Sequence, residues 1–264
     1  MIERIFAAIG TPFLSLYKIF DAAGAFFVFY GRLIGYFFVP PYRFGLILKQ
    51  VESIGVGSLG VIILTAVFVG MVEAIQLYSG FKEFGAETFM GYTIFISITK
   101  ELGPVLTSLM LVSRAISAMA AELGTMRVTE QIDAIDILAI DSRRYLIVPR
   151  VIATTISLPI LVIVFDAVSI FSAFLISTKM LGVNPIEYQQ IIYQLLEWTD
   201  IWGGIFKSIV IGFVVGLIGA YVGYFTSGGA RGVGLSTTRA VVIAAVSIFI
   251  VNYFMSVIFL MLGW

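Results

Sequence analysis

Neither cysteine nor histidine occurs in this chain of 264 residues. The first absence removes disulfides, thiolate chemistry and Cys-ligated metal sites. The second removes the commonest proton shuttle and zinc ligand, and the remaining residues suggest no metal site. Charge is also scarce. Asp, Glu, Lys and Arg make up 12% of the chain against 60% hydrophobic residues, and mean hydropathy is +1.06. A soluble domain of this length needs far more polar surface, so the chain reads as an all-α polytopic membrane protein. Basic and acidic residues balance at 16 each, so net charge points to no partner, nucleic acid included. Met1–Phe20 lacks the charged–apolar–cleavage pattern of a secretory signal.

Five stretches are long enough to cross about 30 Å of hydrocarbon as helices. They run from Ile54 to Tyr78, Thr88 to Val112, Tyr145 to Thr178, Ile201 to Phe225 and Ala240 to Leu262. The third exceeds a straight crossing and is expected to tilt or project. Ile5–Val39 is apolar but interrupted by Lys18, Asp21 and Arg32. A charge at mid-membrane costs about 2.5–3.5 kcal/mol on insertion scales, so interfacial helices fit residues 1–50 better than a sixth span. Basic residues cluster before span one, between spans two and three, and at Arg231 and Arg239. The opposite loops carry only Lys82 and Lys179. The asymmetry places the N-terminus in the cytoplasm and, after five crossings, the C-terminus in the periplasm.

Between spans two and three lies the charged insert Ala121–Arg144, AELGTMRVTEQIDAIDILAIDSRR. On a helix, Ile132, Ile135, Leu138 and Ala139 share one face while Glu130, Asp133 and Asp136 point away. That is an amphipathic helix of about three turns, too short and too charged to span. It is suited to receive force from a partner protein. An ordinary solvated loop would have little reason to keep apolar residues in register.

The runs Lys100-Glu101-Leu102-Gly103-Pro104-Val105, Ala121-Glu122-Leu123-Gly124-Thr125-Met126 and Thr129-Glu130-Gln131-Ile132-Asp133-Ala134 resemble the MlaE permease family. The likeness continues through Pro149-Arg150, Ser157-Leu158-Pro159, Asp166 and Thr237-Thr238-Arg239-Ala240-Val241-Val242, over about residues 50–260. Phe171-Ser172-Ala173 departs from it, where many relatives have small residues. These permeases are the membrane subunits of Mla/Mce-type ABC systems that move phospholipid across the envelope of diderm bacteria. The resemblance implies a homodimer in the inner membrane, two cytoplasmic ABC ATPases and a periplasmic Mce-domain protein. In some of these complexes a STAS-domain subunit also binds the ATPase. It further implies that the insert, about 122–140, is a cytoplasmic coupling helix within a permease domain of residues 51–264. Glu122, Met126, Arg127, Glu130, Asp133 and Ile137 would then face the ATPase. No cofactor is expected on this chain. Gly203-Gly204-Ile205-Phe206-Lys207-Ser208 has the wrong spacing for a P-loop, so ATP belongs to the partner. The glycine-rich stretch Ser227–Gly234 is expected to be a flexible turn.

Ionisable residues within spans are functional candidates by default, here Glu73, Lys100, Glu101 and Asp166. Glu73, Gln76 and Gly80 form a polar stripe on span one. Pro104 frees a backbone carbonyl one turn earlier and is expected to kink span two beside Lys100 and Glu101. A cavity wall and a structural cross-link both suit those two charges; the resemblance points to the headgroup end of a lipid pocket. Measured from the external loop, Glu73 lies about 10 Å deep and Lys100 about 18 Å, so a snorkelling lysine could reach it and share one wet cavity. For Asp166 a structural role leads. Phe81 and Phe84 suit acyl chains at the outer mouth. Gly212, Gly216, Gly219 and Gly223 on span four predict close helix packing, within or between subunits.

A self-contained ion-coupled transporter using Glu73, Lys100, Glu101 and Asp166 is the alternative, but no inverted repeat supports it. An intramembrane hydrolase lacks nucleophile–base pairs in this composition.

Overall fold

A computed structural model describes residues 43–263 together with Gly24, Gly31, Gly35 and Tyr36. The interfacial helices expected over residues 1–50 fall largely outside the described residues. Every regular element among the described residues is helical. Five helical rods are long and apolar enough to cross a membrane, over Phe44–Lys82, Glu87–Val128, Arg143–Met180, Trp198–Tyr224 and Gly229–Leu262.

The first rod joins α1 (Phe44–Ile54) to α2 (Leu59–Lys82) through a tight turn at Val56–Ser58. It therefore starts ten residues before the expected Ile54. Gly55, at φ −76° and ψ −73°, stays close enough to helical values that the path bends without breaking. The second rod is α3 (Met90–Ile96), α4 (Gly103–Leu111) and α5 (Ser117–Val128), linked by π-helical turns at Ser97–Leu102 and Val112–Ile116. The third is α7 (Val148–Leu175), with π turns at both ends, Arg143–Ile147 and Ile176–Met180. Its 38 residues are the over-long span expected from sequence. The fourth is α9 (Trp198–Tyr224) and the fifth α10 (Gly229–Leu262).

The stretch Ser227–Gly234 is not the flexible turn its glycines suggest. Gly228 and Gly229 have φ of 90° and 65°, values that turn the chain sharply, and α10 begins at once. A side chain at Gly232 would meet the Ser227 carbonyl, so that glycine lets the chain double back.

Between the second and third rods the helix of the charged insert is shorter than expected. Helix α5 ends at Val128, Glu130 takes a left-handed conformation at φ 61°, and α6 covers only Gln131–Ile137. One helix over about 122–140 is thus two, because the α5 end and α6 meet at Glu130. Ile132 is fully buried and Ile135 packs on the core, but Leu138 lies outside the helix and is exposed. On the opposite side, α8 (Pro185–Leu195) follows Asn184, whose side chain accepts from the Ile186 amide at 3.0 Å.

Helix α7 is the hub, packed against α2 on one side and α9 on the other, while α10 lies on α9 and α5. Ridges approach closely where side chains are missing. A methyl at Gly70 would collide with the Ser169 backbone, and Ser169 Oγ donates to the Ala66 carbonyl at 2.9 Å. The span-four glycines pack within the chain: Gly212 and Gly216 face Thr154 and its neighbours, Gly219 faces Ile116, and Gly223 faces Ala120. Tyr188 closes the far end, buried among Met90, Ile94 and Ala173. That burial pushes its hydroxyl up to about 12.

Gly70→Ala is expected to cost about 1–3 kcal/mol by overpacking against the Ser169 backbone. Thermal unfolding of the detergent-solubilised chain checks this against Gly60→Ala, whose new methyl meets nothing within 4 Å. Equal transition temperatures for the two variants would contradict the close α2–α7 approach.

Candidate functional site

Pro104 has no amide hydrogen, so the Lys100 carbonyl one turn earlier loses its helical partner. The second rod widens into a π turn at Ser97–Leu102, and the freed carbonyl faces span four. There Gly204 lies so close to the Thr99 carbonyl that any side chain would clash. One turn further on, Lys207 Nζ donates to Lys100 O at 2.9 Å. Its other hydrogens go to Glu101 Oε1 at 2.6 Å and Ser256 Oγ at 2.7 Å, so all three ammonium donors are used.

The carboxylate of Glu101 is equally well held. Asn252 Nδ2 donates to Oε2 at 2.7 Å, and Ser256 Oγ lies 2.9 Å from Oε1. Asn252 and Ser256 are one turn apart on α10, so one face of span five reads this carboxylate. A second ion pair sits nearer the membrane surface, with Lys100 Nζ 2.7 Å from Asp200 Oδ1. The other oxygen of Asp200 accepts from the Glu197 amide at 3.0 Å and closes a capping box at the start of α9. Asp200, Gly203 or Gly204, and Lys207 recur at i, i+3 or i+4, and i+7, which makes one stripe facing span two.

A cavity of about 150 Å³ opens on this network, lined by Lys100, Glu101, Thr199, Gly203, Lys207 and Phe259 among others. Lys207 and Asp200 are sealed, whereas the side chains of Glu101 and Lys100 retain 46% and 29% exposure. Lys100 pairs with Asp200 and keeps further N–H donors for a ligand. The site is a neutral four-charge cluster with one cationic and one anionic group showing to the cavity.

The other sequence candidates lie elsewhere. Glu73 accepts from Ser97 Oγ at 2.9 Å, which ties span one to the start of the π turn. The expected approach of Glu73 to Lys100 is therefore replaced by Lys100–Asp200, because the α9 stripe supplies a nearer carboxylate. Gln76 is exposed, Phe81 packs on the cluster around Met90, and Phe84 is 84% exposed beyond α2. None of these four lines the cavity. Asp166 lies against Gly103, where a methyl would strike its carboxylate, and its buried Oδ1 has no partner among the described residues.

At the other end, several candidate coupling residues bond within the chain. Glu122 pairs with Arg150 and Arg127 with Asp133, each at 2.7 Å. Met126 packs partly against the core. Glu130 is exposed, and Ile137 and Leu138 form an apolar tip at 84% and 70% exposure.

Sequence reasoning missed Lys207, Asp200, Asn252 and Ser256. Lys207 was legible, since it interrupts an apolar run as Lys100 does, but its Gly-Gly-x-x-Lys-Ser setting drew attention to a failed nucleotide motif. Asp200 reads as a loop acid until the α9 start is known. Asn252 and Ser256 carry no charge and no motif.

The family model described as Permease MlaE matches residues 47–258. A probable ABC transporter permease protein of Rickettsia bellii is 40% identical over 242 residues, 92% of this chain and 93% of that one. Another from Synechocystis is 43% identical over 209 residues, 79% and 80% of the two chains. The intermembrane phospholipid transport system permease protein MlaE of Haemophilus influenzae is 34% identical over 261 residues, 98% of both.

Lys207→Met would leave Glu101 without its ammonium and the Lys100 carbonyl without a donor. The expected loss is about 3 kcal/mol, the low end for a broken buried pair because Glu101 stays half exposed. Adding Glu101→Gln should recover part of it, so the two losses are not additive. Unfolding of the single and double variants in detergent measures this coupling. Wild-type stability in Lys207→Met would show that the cluster does not hold the spans.

Proposed function

This chain belongs to the MlaE permease family and is a multi-pass, ABC-type permease subunit; from that premise we propose that its cargo is phospholipid, moved between inner and outer membranes. The supporting observation is the cavity beside Lys100, a cation with spare donors held at a fixed place in an apolar wall. Such a group suits a lipid phosphate, which accepts charge-assisted hydrogen bonds and would otherwise be costly to desolvate. Glu101 limits the local charge, so the phosphate is held without becoming trapped. Glu73, Gln76, Phe81 and Phe84 belong on this reading to the path taken by the rest of the lipid.

A volume of about 150 Å³ suits a headgroup and leaves no room for acyl chains. Span five exposes a broad apolar face that includes Val246, Phe249, Ile250, Tyr253 and Phe254. A homodimer would cover such surface and enlarge the cavity. On this reading, which the arginine asymmetry supports, α6 would lie on the cytoplasmic side of a bacterial inner membrane. The exposed Ile137 at its end and Leu138 just past it would suit a groove in a separate ABC ATPase, with Glu130 alongside. A STAS-domain protein would bind that ATPase. On the periplasmic side α8 and the short loops would meet an Mce-domain protein. The chain itself is non-catalytic, and the ATP would be bound and hydrolysed by its partner.

An ion-coupled transporter is less well supported. Glu101 is held by Lys207, Asn252 and Ser256, a fixed arrangement that suits a binding site better than a relay.

Three experiments test the proposal. Lys100→Ala should lower photo-crosslinking of phospholipid inside the assembled transporter about tenfold, as expected for loss of one charge-assisted contact, with dimer yield unchanged. Unchanged crosslinking would remove Lys100 from the lipid site. At the other end, Ile137→Asp with Leu138→Asp should abolish ATPase co-purification while membrane insertion persists. A single cysteine at Gln131 should react with impermeant reagent only after the cytoplasmic face is exposed. Labelling of intact cells at that position would invert the topology.

A further inference from the structure

A second cavity is larger than the one beside Lys100. It holds about 340 Å³ and lies where α1 and the third rod begin, against the segment that follows α6. Val148 in its wall starts α7, whereas Asp200 of the first site lies in the first turn of α9, and successive spans start on opposite faces of the membrane. The two cavities are therefore separate sites on opposite sides. The volume falls in the range of about 300–1,000 Å³ usual for small-molecule pockets.

Its wall has two halves. The rim is polar, with Arg43, Asp141, Arg144 and Tyr36. The floor is apolar, with Ile47, Val148 and Ile152. Arg43 sits with its guanidinium carbon 4.3 Å from the centroid of the Tyr145 ring. Stacking of this kind fixes the plane of the guanidinium and leaves its N–H edges directed outward. Among the described residues no carboxylate pairs with Arg43. Asp141, the acid on the rim, is already occupied. Its Oδ1 accepts from the Arg143 and Arg144 amides at 3.1 and 3.3 Å. Tyr36 also hydrogen-bonds to that carboxylate, which holds the tyrosine hydroxyl above its usual range. The rim thus sets Arg43, which has no carboxylate partner among the described residues, beside an acid already engaged.

We propose that this cavity binds the phosphate-bearing headgroup of an anionic membrane lipid, held bidentately by Arg43 with its glycerol end on the apolar floor. The two-sided lining argues for a lipid over a soluble anion. A free phosphate satisfies the guanidinium but leaves Ile47, Val148 and Ile152 wet, whereas a lipid covers both halves. The position also gives the ligand a consequence. Arg43 precedes α1, and Tyr145 follows the turn from α6, so an occupant ties the first span to the segment that receives force. It is a resident lipid, distinct from the cargo, that stiffens this elbow.

The test uses the full chain in detergent and native mass spectrometry with added phosphatidylglycerol, in a Lys100→Ala background that disables the other site. The parent is expected to retain one phosphatidylglycerol per chain, in preference to phosphatidylcholine. Arg43→Gln should weaken retention roughly tenfold, the effect of about 1.4 kcal/mol. Ile152→Trp, which fills the floor and leaves Arg43 in place, should do the same. Arg231→Gln removes one positive charge elsewhere and should change nothing. Undiminished retention in both cavity variants would overturn the proposal, as would equal retention of phosphatidylcholine. Displacement of the lipid by excess inorganic phosphate would overturn it too, and would assign the rim to a free anion.

Discussion

The ammonium of Lys207 is the group on which the upper half of this bundle depends. Pro104 takes away the partner of the Lys100 carbonyl, and inside a membrane no water replaces it. Lys207 supplies that hydrogen bond at 2.9 Å and pairs with Glu101 through the same nitrogen. One residue of span four therefore meets both a backbone defect and a buried carboxylate of span two. The helices can come this close because Gly204 offers no side chain against the Thr99 carbonyl. Each part needs the others. Proline without the lysine leaves an unsatisfied carbonyl, and the lysine without Glu101 leaves a buried charge.

Burying four charges would be costly if any were left alone, and their arrangement shows how the cost is contained. Lys207 and Asp200, the two sealed members, have their polar atoms engaged by named partners. Of the two that open to the cavity, Lys100 keeps spare donors, while Glu101 shows it a carboxylate already held in place. Structural work and ligand access are thus divided between the members of each pair. The same logic separates Asp166 from the cluster. It packs against Gly103 but its Oδ1 has no partner among the described residues, so it contributes shape to the π turn and no ion pair.

How much of this could be read in advance varies with the kind of signal. The five crossings follow from runs of apolar residues whose length the bilayer imposes, and they stand out in any sequence this hydrophobic. The importance of Lys100 and Glu101 was legible because a charge in such a run is rare. So was the freed carbonyl before Pro104, since proline's missing hydrogen is a local property. The group that answers it was not legible, because Lys207 is more than a hundred residues away and helix rotation decides what faces what. The break at Glu130 escaped notice for a different reason. Its apolar spacing continues across the break, and a left-handed glutamate has no composition signature. Among glycines, Ser227–Gly234 misled, since glycine marks close approach as often as flexibility.

Span two connects the proposed lipid site to the proposed docking tip, and its construction bears on how the two could communicate. A single helical path runs from Glu87 to Val128, with Lys100 and Glu101 in its first half and Glu122 and Arg127 near its end. Arg127 bridges the break to α6 through Asp133, and Glu122 is pinned to the third rod by Arg150. On the proposed reading, displacement of α6 would reach span two through an ion pair at the surface, while the base of α7 would resist it through a guanidinium that is nearly buried. Between that lever and the cavity lie two π turns, at Val112–Ile116 and Ser97–Leu102. Such turns have looser hydrogen bonding than the α-helix around them, so they are where a rod yields first. The upper one carries the cavity charges themselves. A shift that tightened it into α-helix would rotate Lys100 and Glu101 relative to span four, and so would loosen their hold on Asp200 and Lys207 together.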